Sequence, residues 1–238
     1  MPDPDERPAE GVRGRTVFIV RHVLAPTLTC LAIALLIEIL DLDRATLDLW
    51  YDPVLRNFPG AHSPLWEGYA HDGGDRLVIA IGLGALAVSV AGGMWPRLRP
   101  LRRDALLVLA CVVSGPALVA LAKQVTNVDC PFALSRYGGT RPDVRLLEDR
   151  QVELPRAACF PAAHSAGAFT LFGFYFAWRG RHPRRARLAL AVTLLLGTAY
   201  AVTQWVRGSH FPSHDLWSAW LVWMICLGWS LALRHERV

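Results

Sequence analysis

The chain has 238 residues, 53% hydrophobic and 19% charged, with a mean hydropathy of +0.29. Soluble domains carry about a quarter charged residues, so the composition points to a membrane protein, and the length suits one domain of roughly six spans of ~20 residues. Collagen-like, disordered and disulfide-scaffold chains are excluded, because the chain is apolar and has only five cysteines. A net charge of +5 invites a nucleic-acid partner, but the placement of the arginines excludes one.

In chain order, apolar stretches occupy residues 16–40, 77–95, 105–122, 163–178, 186–206 and 216–233. They predict an all-α, six-span membrane domain over residues 16–238 behind a short tail at 1–15. The first stretch is too long for a signal-peptide core and no small-residue cleavage site follows it, so it reads as a retained span. Its His22, Pro26 and Glu38 are polar interruptions expected to face other helices. The fourth stretch is short, which suggests a start within protein rather than lipid. No internal repeat or low-complexity tract occurs.

Topology follows from charge. Arg7, Arg13 and Arg15 precede the first span, Arg97, Arg99, Arg102 and Arg103 separate the second and third, and Arg179, Arg181, Arg184, Arg185 and Arg187 separate the fourth and fifth. Arg234 and Arg237 end the chain. All lie on one side, which the positive-inside rule makes cytoplasmic together with both termini. Segments 41–75, 123–162 and 207–215 then face outward. Trp50, Trp66 and Trp205 near the outer boundary, and Trp95 and Trp178 near the inner one, suit interfacial belts. Leu42, Thr46, Leu49, Trp50 and Leu55 loosely follow helical spacing, either as a helix lying on the leaflet or as a packed connecting helix.

Three polar clusters fall at the outer ends of spans, where ionisable residues need a reason. The first runs from Lys123 to Asp129, Cys130 and Pro131, and Lys123 is the only lysine among 25 Lys and Arg residues. Its compact charge suits a phosphate oxygen, although a single lysine at a span end also snorkels. The second is Cys159, Phe160, Pro161, Ala162, Ala163, His164 and Ser165. Proline opening a helix there leaves the backbone N–H groups of residues 162–165 as an anion site with His164 at its mouth, or His164 is merely a boundary residue. The third is Arg207, Gly208, Ser209, His210, Phe211, Pro212, Ser213, His214 and Asp215. Arg207 lies one helical turn before His210, and a carboxylate such as Asp215 holds an imidazole in one tautomer. His210 and His214 share the i, i+4 spacing of half a zinc site. Pro212 breaks the helix this presumes, so no metal is expected.

These clusters, in this order and on this face, resemble the three motifs of the type-2 phosphatidic acid phosphatase superfamily, whose integral-membrane branch has six spans. The family pattern is Lys, six residues, Arg-Pro; then Pro-Ser-Gly-His; then Ser-Arg, five residues, His, three residues, Asp. Lys123, Pro131, Pro161, His164 and His210 match, whereas Cys130, Ala162, Ala163 and Gln204 depart from the pattern and Asp215 comes one residue late. Ser165 is placed to replace the lost serine, and Arg136 or Arg141 the lost guanidinium.

The resemblance implies that His210 attacks phosphorus to form a phosphohistidine, with Asp215 orienting it and His164 as leaving-group acid and then base. Lys123, Arg207, Ala163 and Ser165 would hold the phosphoryl group, with His214 an alternative nucleophile. No cofactor is implied. The implied substrate is a lipid phosphate at the outer face of a bacterial inner membrane: polyprenyl pyrophosphate, phosphatidylglycerol phosphate, phosphatidic acid or lipid A. Rival readings are a lipid-to-lipid phosphotransferase and a degenerate lipid-binding or transport protein. In an oxidising periplasm Cys130 and Cys159 would bridge motifs one and two, the alternative being two unlinked thiols, while Cys30, Cys111 and Cys226 sit in spans.

Overall fold

Apolar runs without strand-type alternation fold as helices in lipid, because a helix satisfies its own backbone hydrogen bonds. The computed structural model describes residues 14–66, 68, 73–146, 148 and 154–233, and Arg7, Arg13, Arg234 and Arg237 lie outside them. Among these residues the main helices are α1 (Gly14–Ile39), α2 (Leu42–Asp48), α3 (Gly73–Met94), α4 (Arg99–Thr126), α5 (Ala163–Phe169), α6 (Phe172–Trp178), α7 (Pro183–Val206) and α8 (Pro212–Ala232). Helices α1, α3, α4, α7 and α8 are long and apolar enough to cross a membrane. Leu28, Leu35, Leu83, Val113 and Leu195 stand exposed on four of them, the surface that lipid tails would cover.

The fourth apolar stretch, expected to be short and to start within protein, is not one continuous span. It is a broken pair, α5 and α6, with a turn at Thr170 and Leu171. The Thr170 N–H is shared between the carbonyls of Ala166 (3.1 Å) and Gly167 (3.2 Å), and its hydroxyl donates to Gly167 at 2.6 Å. The pair is buried against α4, α7 and α8. Glycine permits the approach: a Cβ on Gly197 would lie 2.0 Å from the Phe169 ring, and one on Gly115 2.6 Å from Thr170. A segment enclosed by protein needs no uninterrupted run of bilayer length. Phe169, Phe172, Phe176, Trp223 and Leu227 form the core around it, held by packing rather than by expulsion of water if lipid surrounds the bundle.

His22 does face other helices: its Nε2 lies 2.9 Å from the Tyr175 hydroxyl, and the Trp223 indole donates to its carbonyl at 2.8 Å. At the arginine-rich end, Arg181 pairs with Asp104 and Arg103 binds the Leu233 carbonyl. The opposite end is roofed by the connecting segments. Leu47 of α2, Phe58, Leu134, Tyr137 and Phe211 form a second apolar cluster there. Helix α2 is therefore a packed connecting helix.

Candidate active site

Backbone hydrogen bonds draw the three motifs together. Helix α4 ends at Asn127, whose left-handed conformation (φ 51°) asparagine tolerates, and its side chain accepts from the Ala157 N–H at 2.9 Å. The Cys159 N–H donates to Val128 (3.0 Å), and the Thr126 hydroxyl to the Phe160 carbonyl (2.5 Å). A disulfide joins Cys130 to Cys159, with an S–S distance of 2.09 Å. The Phe132 N–H donates to Gly208 at 2.9 Å, so motif one also holds the turn that carries His210. Gly208 has φ 65°, and a Cβ there would lie 2.2 Å from the Phe58 ring, so a side chain is excluded twice over.

Motif two is fastened to the first turns of α8. Ala162 is the residue before α5, and its N–H donates to the His214 carbonyl at 3.3 Å. The Ser218 hydroxyl bonds both the Ala162 carbonyl (2.8 Å) and the His214 carbonyl (2.9 Å). The Ala162 amide is thus occupied, and the anion site expected of residues 162–165 is reduced to the first-turn amides from Ala163 onward. Asp43 of α2 fixes α8 from the other side. It accepts from the Ser213 N–H at 2.9 Å and its hydroxyl at 2.5 Å, and burial pushes its carboxyl above the ordinary range.

His164 Nδ1 donates to Asp75 Oδ1 at 3.0 Å, and its ring stacks on Tyr200 with centroids 5.1 Å apart. Asp75 lies in the first turn of α3, and in the sequence it stands only at the boundary of segment 41–75. An acidic residue in the first turn of an apolar helix of spanning length is the signal that could have found it.

His210 is buried, and its Nδ1 lies 3.4 Å from His214 Nδ1 and 3.5 Å from Cys159 Sγ. Burial, then the charges of His214, Lys123 and His164, hold the His210 pKa well below the ordinary histidine value. Lys123 is therefore brought within electrostatic range of His210, and of His214 and Asp215 as well.

Asp215 is placed otherwise than the sequence suggested. Its carboxylate accepts from the Trp205 indole at 2.7 Å and lies beside Ser165, while His214 occupies the place against His210. The reason is helical register. With α8 beginning at Pro212, residue 214 faces back towards the loop and residue 215 turns towards α5 and α7. Arg136 is also displaced: it forks onto Asp48 at 3.1 and 2.6 Å on the roof. Arg141 pairs with Asp129 at 3.5 Å and donates to the Pro155 carbonyl at 2.8 Å, bracing the motif-one loop. Arg207 Nη1 lies 3.4 Å from the Gln204 side chain, at the position where the family carries arginine.

Cys159, His210 and His214 each bring one donor atom within 4.8 Å of the others. With the sulfur committed to a disulfide, two imidazoles remain, one ligand short of a catalytic zinc site.

A family model described as the PAP2 superfamily matches residues 104–237, more than half of the chain and all three motifs. The chain belongs to the PAP2 superfamily. That superfamily is one of phosphatases, and five apolar helices of spanning length make this member a multi-pass membrane protein. No curated protein and no solved structure matches it.

Proposed function

We propose that this PAP2 protein is a six-span lipid phosphatase, hydrolysing a lipid phosphate or pyrophosphate at the outer face of a bacterial inner membrane through a phosphohistidine on His210. One observation carries the reading above others: the Cys130–Cys159 disulfide and the hydrogen bonds from the Ala162 N–H to the His214 carbonyl and from the Phe132 N–H to the Gly208 carbonyl draw all three motifs together at one end of the bundle. The arginine-rich opposite end supports the outward orientation.

Attack requires a lone pair on the ring nitrogen that faces phosphorus. With the proton on His210 Nδ1, accepted by His214 Nδ1, His210 Nε2 carries that lone pair. Nε2 attacks phosphorus and the bond to the leaving oxygen breaks. His164, protonated and held by Asp75, gives its proton to that oxygen, then takes one from the water that splits the phosphohistidine. Lys123 and the first-turn amides of α5 meet the charge on the phosphoryl oxygens. The buried His214 Nε2, which has no hydrogen-bond partner among the described residues, is a further donor for them.

The test is rapid quench of purified protein with labelled lipid phosphate into alkaline detergent, because the P–N bond of a phosphohistidine is lost in acid and survives in alkali. Labelled phosphohistidine is expected at His210, with release of inorganic phosphate and turnover unaffected by EDTA. Label at His214 would move the nucleophile, and label passing only to a second lipid would make the protein a phosphotransferase. Inactivation by EDTA, reversed by one metal, would replace the mechanism.

A further inference from the structure

The disulfide and the two motif-three histidines form one cluster with a geometry of its own. A tetrahedral zinc ion, with Zn–S about 2.3 Å and Zn–N about 2.0–2.1 Å, sets S···N edges of about 3.6 Å and N···N edges of about 3.4 Å. Here Cys159 Sγ to His210 Nδ1 is 3.5 Å and His210 Nδ1 to His214 Nδ1 is 3.4 Å, and all three residues are buried. One donor atom from each lies within 4.8 Å of the others, and Cys130 Sγ is bonded to Cys159 Sγ, so a second sulfur is at hand.

While the sulfurs are joined, a divalent cation there would meet only neutral donors and the nearby Lys123 charge. Two thiolates would cancel its charge and make burial of the ion tolerable. We infer that reducing the Cys130–Cys159 disulfide opens a Cys2His2 site for a zinc-class divalent cation, made by Cys130, Cys159, His210 and His214.

The chemistry balances with a dithiol as reductant. Two electrons and two protons pass from the dithiol to the protein, the S–S bond breaks, two cysteine thiols form, and the dithiol closes to its cyclic disulfide. The cation then displaces both thiol protons to solvent and takes one ring nitrogen from each neutral histidine. A metal on His210 Nδ1 leaves the proton on Nε2, so the ring cannot attack phosphorus. That regulatory consequence rests on His210 being the nucleophile; the metal site itself does not.

Co(II) is the probe, added to full-length protein in detergent. Protein reduced with a dithiol, then freed of it under argon, is expected to bind one equivalent. It should show thiolate-to-cobalt charge transfer and tetrahedral d–d bands, absent from the unreduced protein. Cys159→Ser should weaken binding at least ~10-fold, the loss that even an outer-shell partner produces. Cys130→Ser frees the Cys159 thiol without reductant and should show sulfur charge transfer directly, which keeps the test decisive if the reduced wild type unfolds. Absence of charge transfer in whichever of these two proteins retains its helical circular dichroism overturns the site. Lipid phosphate hydrolysis is followed in parallel: inactive unreduced protein that still binds Co(II) on reduction would sink the phosphatase reading alone. Active unreduced protein whose reduced form ignores Co(II) would sink the metal site alone.

Discussion

The two histidine neighbourhoods differ in what lies behind the ring. His164 leans on Asp75, a carboxylate whose side chain is 56% exposed at the start of α3. His210 leans on another imidazole, with His210, His214 and Cys159 all buried and Cys159 joined to the half-buried Cys130. A carboxylate stabilises the imidazolium and favours a ring that holds and releases protons. A second imidazole, with Lys123 nearby, disfavours the imidazolium and favours a ring that stays neutral with a lone pair to offer. The proposed division between acid–base and nucleophile thus rests on the partners rather than on the histidines.

Four substitutions or conditions would break or sharpen this contrast. Removing the proposed nucleophile should have the largest effect: His210→Ala is expected to lower kcat by about 10⁴-fold or more, measured as phosphate release, with Asp43 still capping α8 and circular dichroism unchanged. Full activity in that variant would shift the chemistry to His214. Next, Asp75→Asn should lower kcat by roughly 10²-fold, with the limb of the pH profile that reports the protonated acid moving to lower pH. An unchanged profile would mean that Asp75 only anchors α3.

Exchanging one neighbourhood's partner for the other's is the sharper test. His214→Asp puts a carboxylate behind His210 and should raise its pKa, so the acid limb of kcat/KM moves to higher pH. Each unit of that shift costs about tenfold in the neutral fraction on the acid side. A profile that moves the opposite way would show that the imidazole was not keeping His210 neutral.

The smallest effect concerns stability. His210 binds its proton less readily folded than unfolded, so its contribution is fully present above the ordinary histidine pKa of about 6.5 and is lost as pH falls below it. The Tm of the wild type should fall between pH 7 and pH 5 more steeply than that of His210→Gln, by differential scanning fluorimetry in detergent. Parallel curves would assign the acid sensitivity to other groups.

Features that depend on residue type and spacing along one chain are legible without the fold. Apolar runs mark the helices, clustered arginines mark one end of the bundle, and Lys123, His164 and His210 stand out because each sits in a local motif at a span end. What depends on helical phase or on packing between distant segments was decided only by the tertiary structure. Asp215 is adjacent to His214 in the chain, yet one step of about 100° around α8 sends it to Trp205 while His214 meets His210. Asp75 and Asp43 reach the site from segments 89 and 170 residues away from their partners His164 and Ser213, and no local pattern announces such pairs. Arg136 and Arg141 share the outer loop with the motifs, but Asp48 and Asp129 hold them where folding happens to bring those carboxylates. The broken α5–α6 pair has the same origin: composition marks an apolar stretch, while enclosure by α4, α7 and α8 lets it bend at Thr170 instead of running straight.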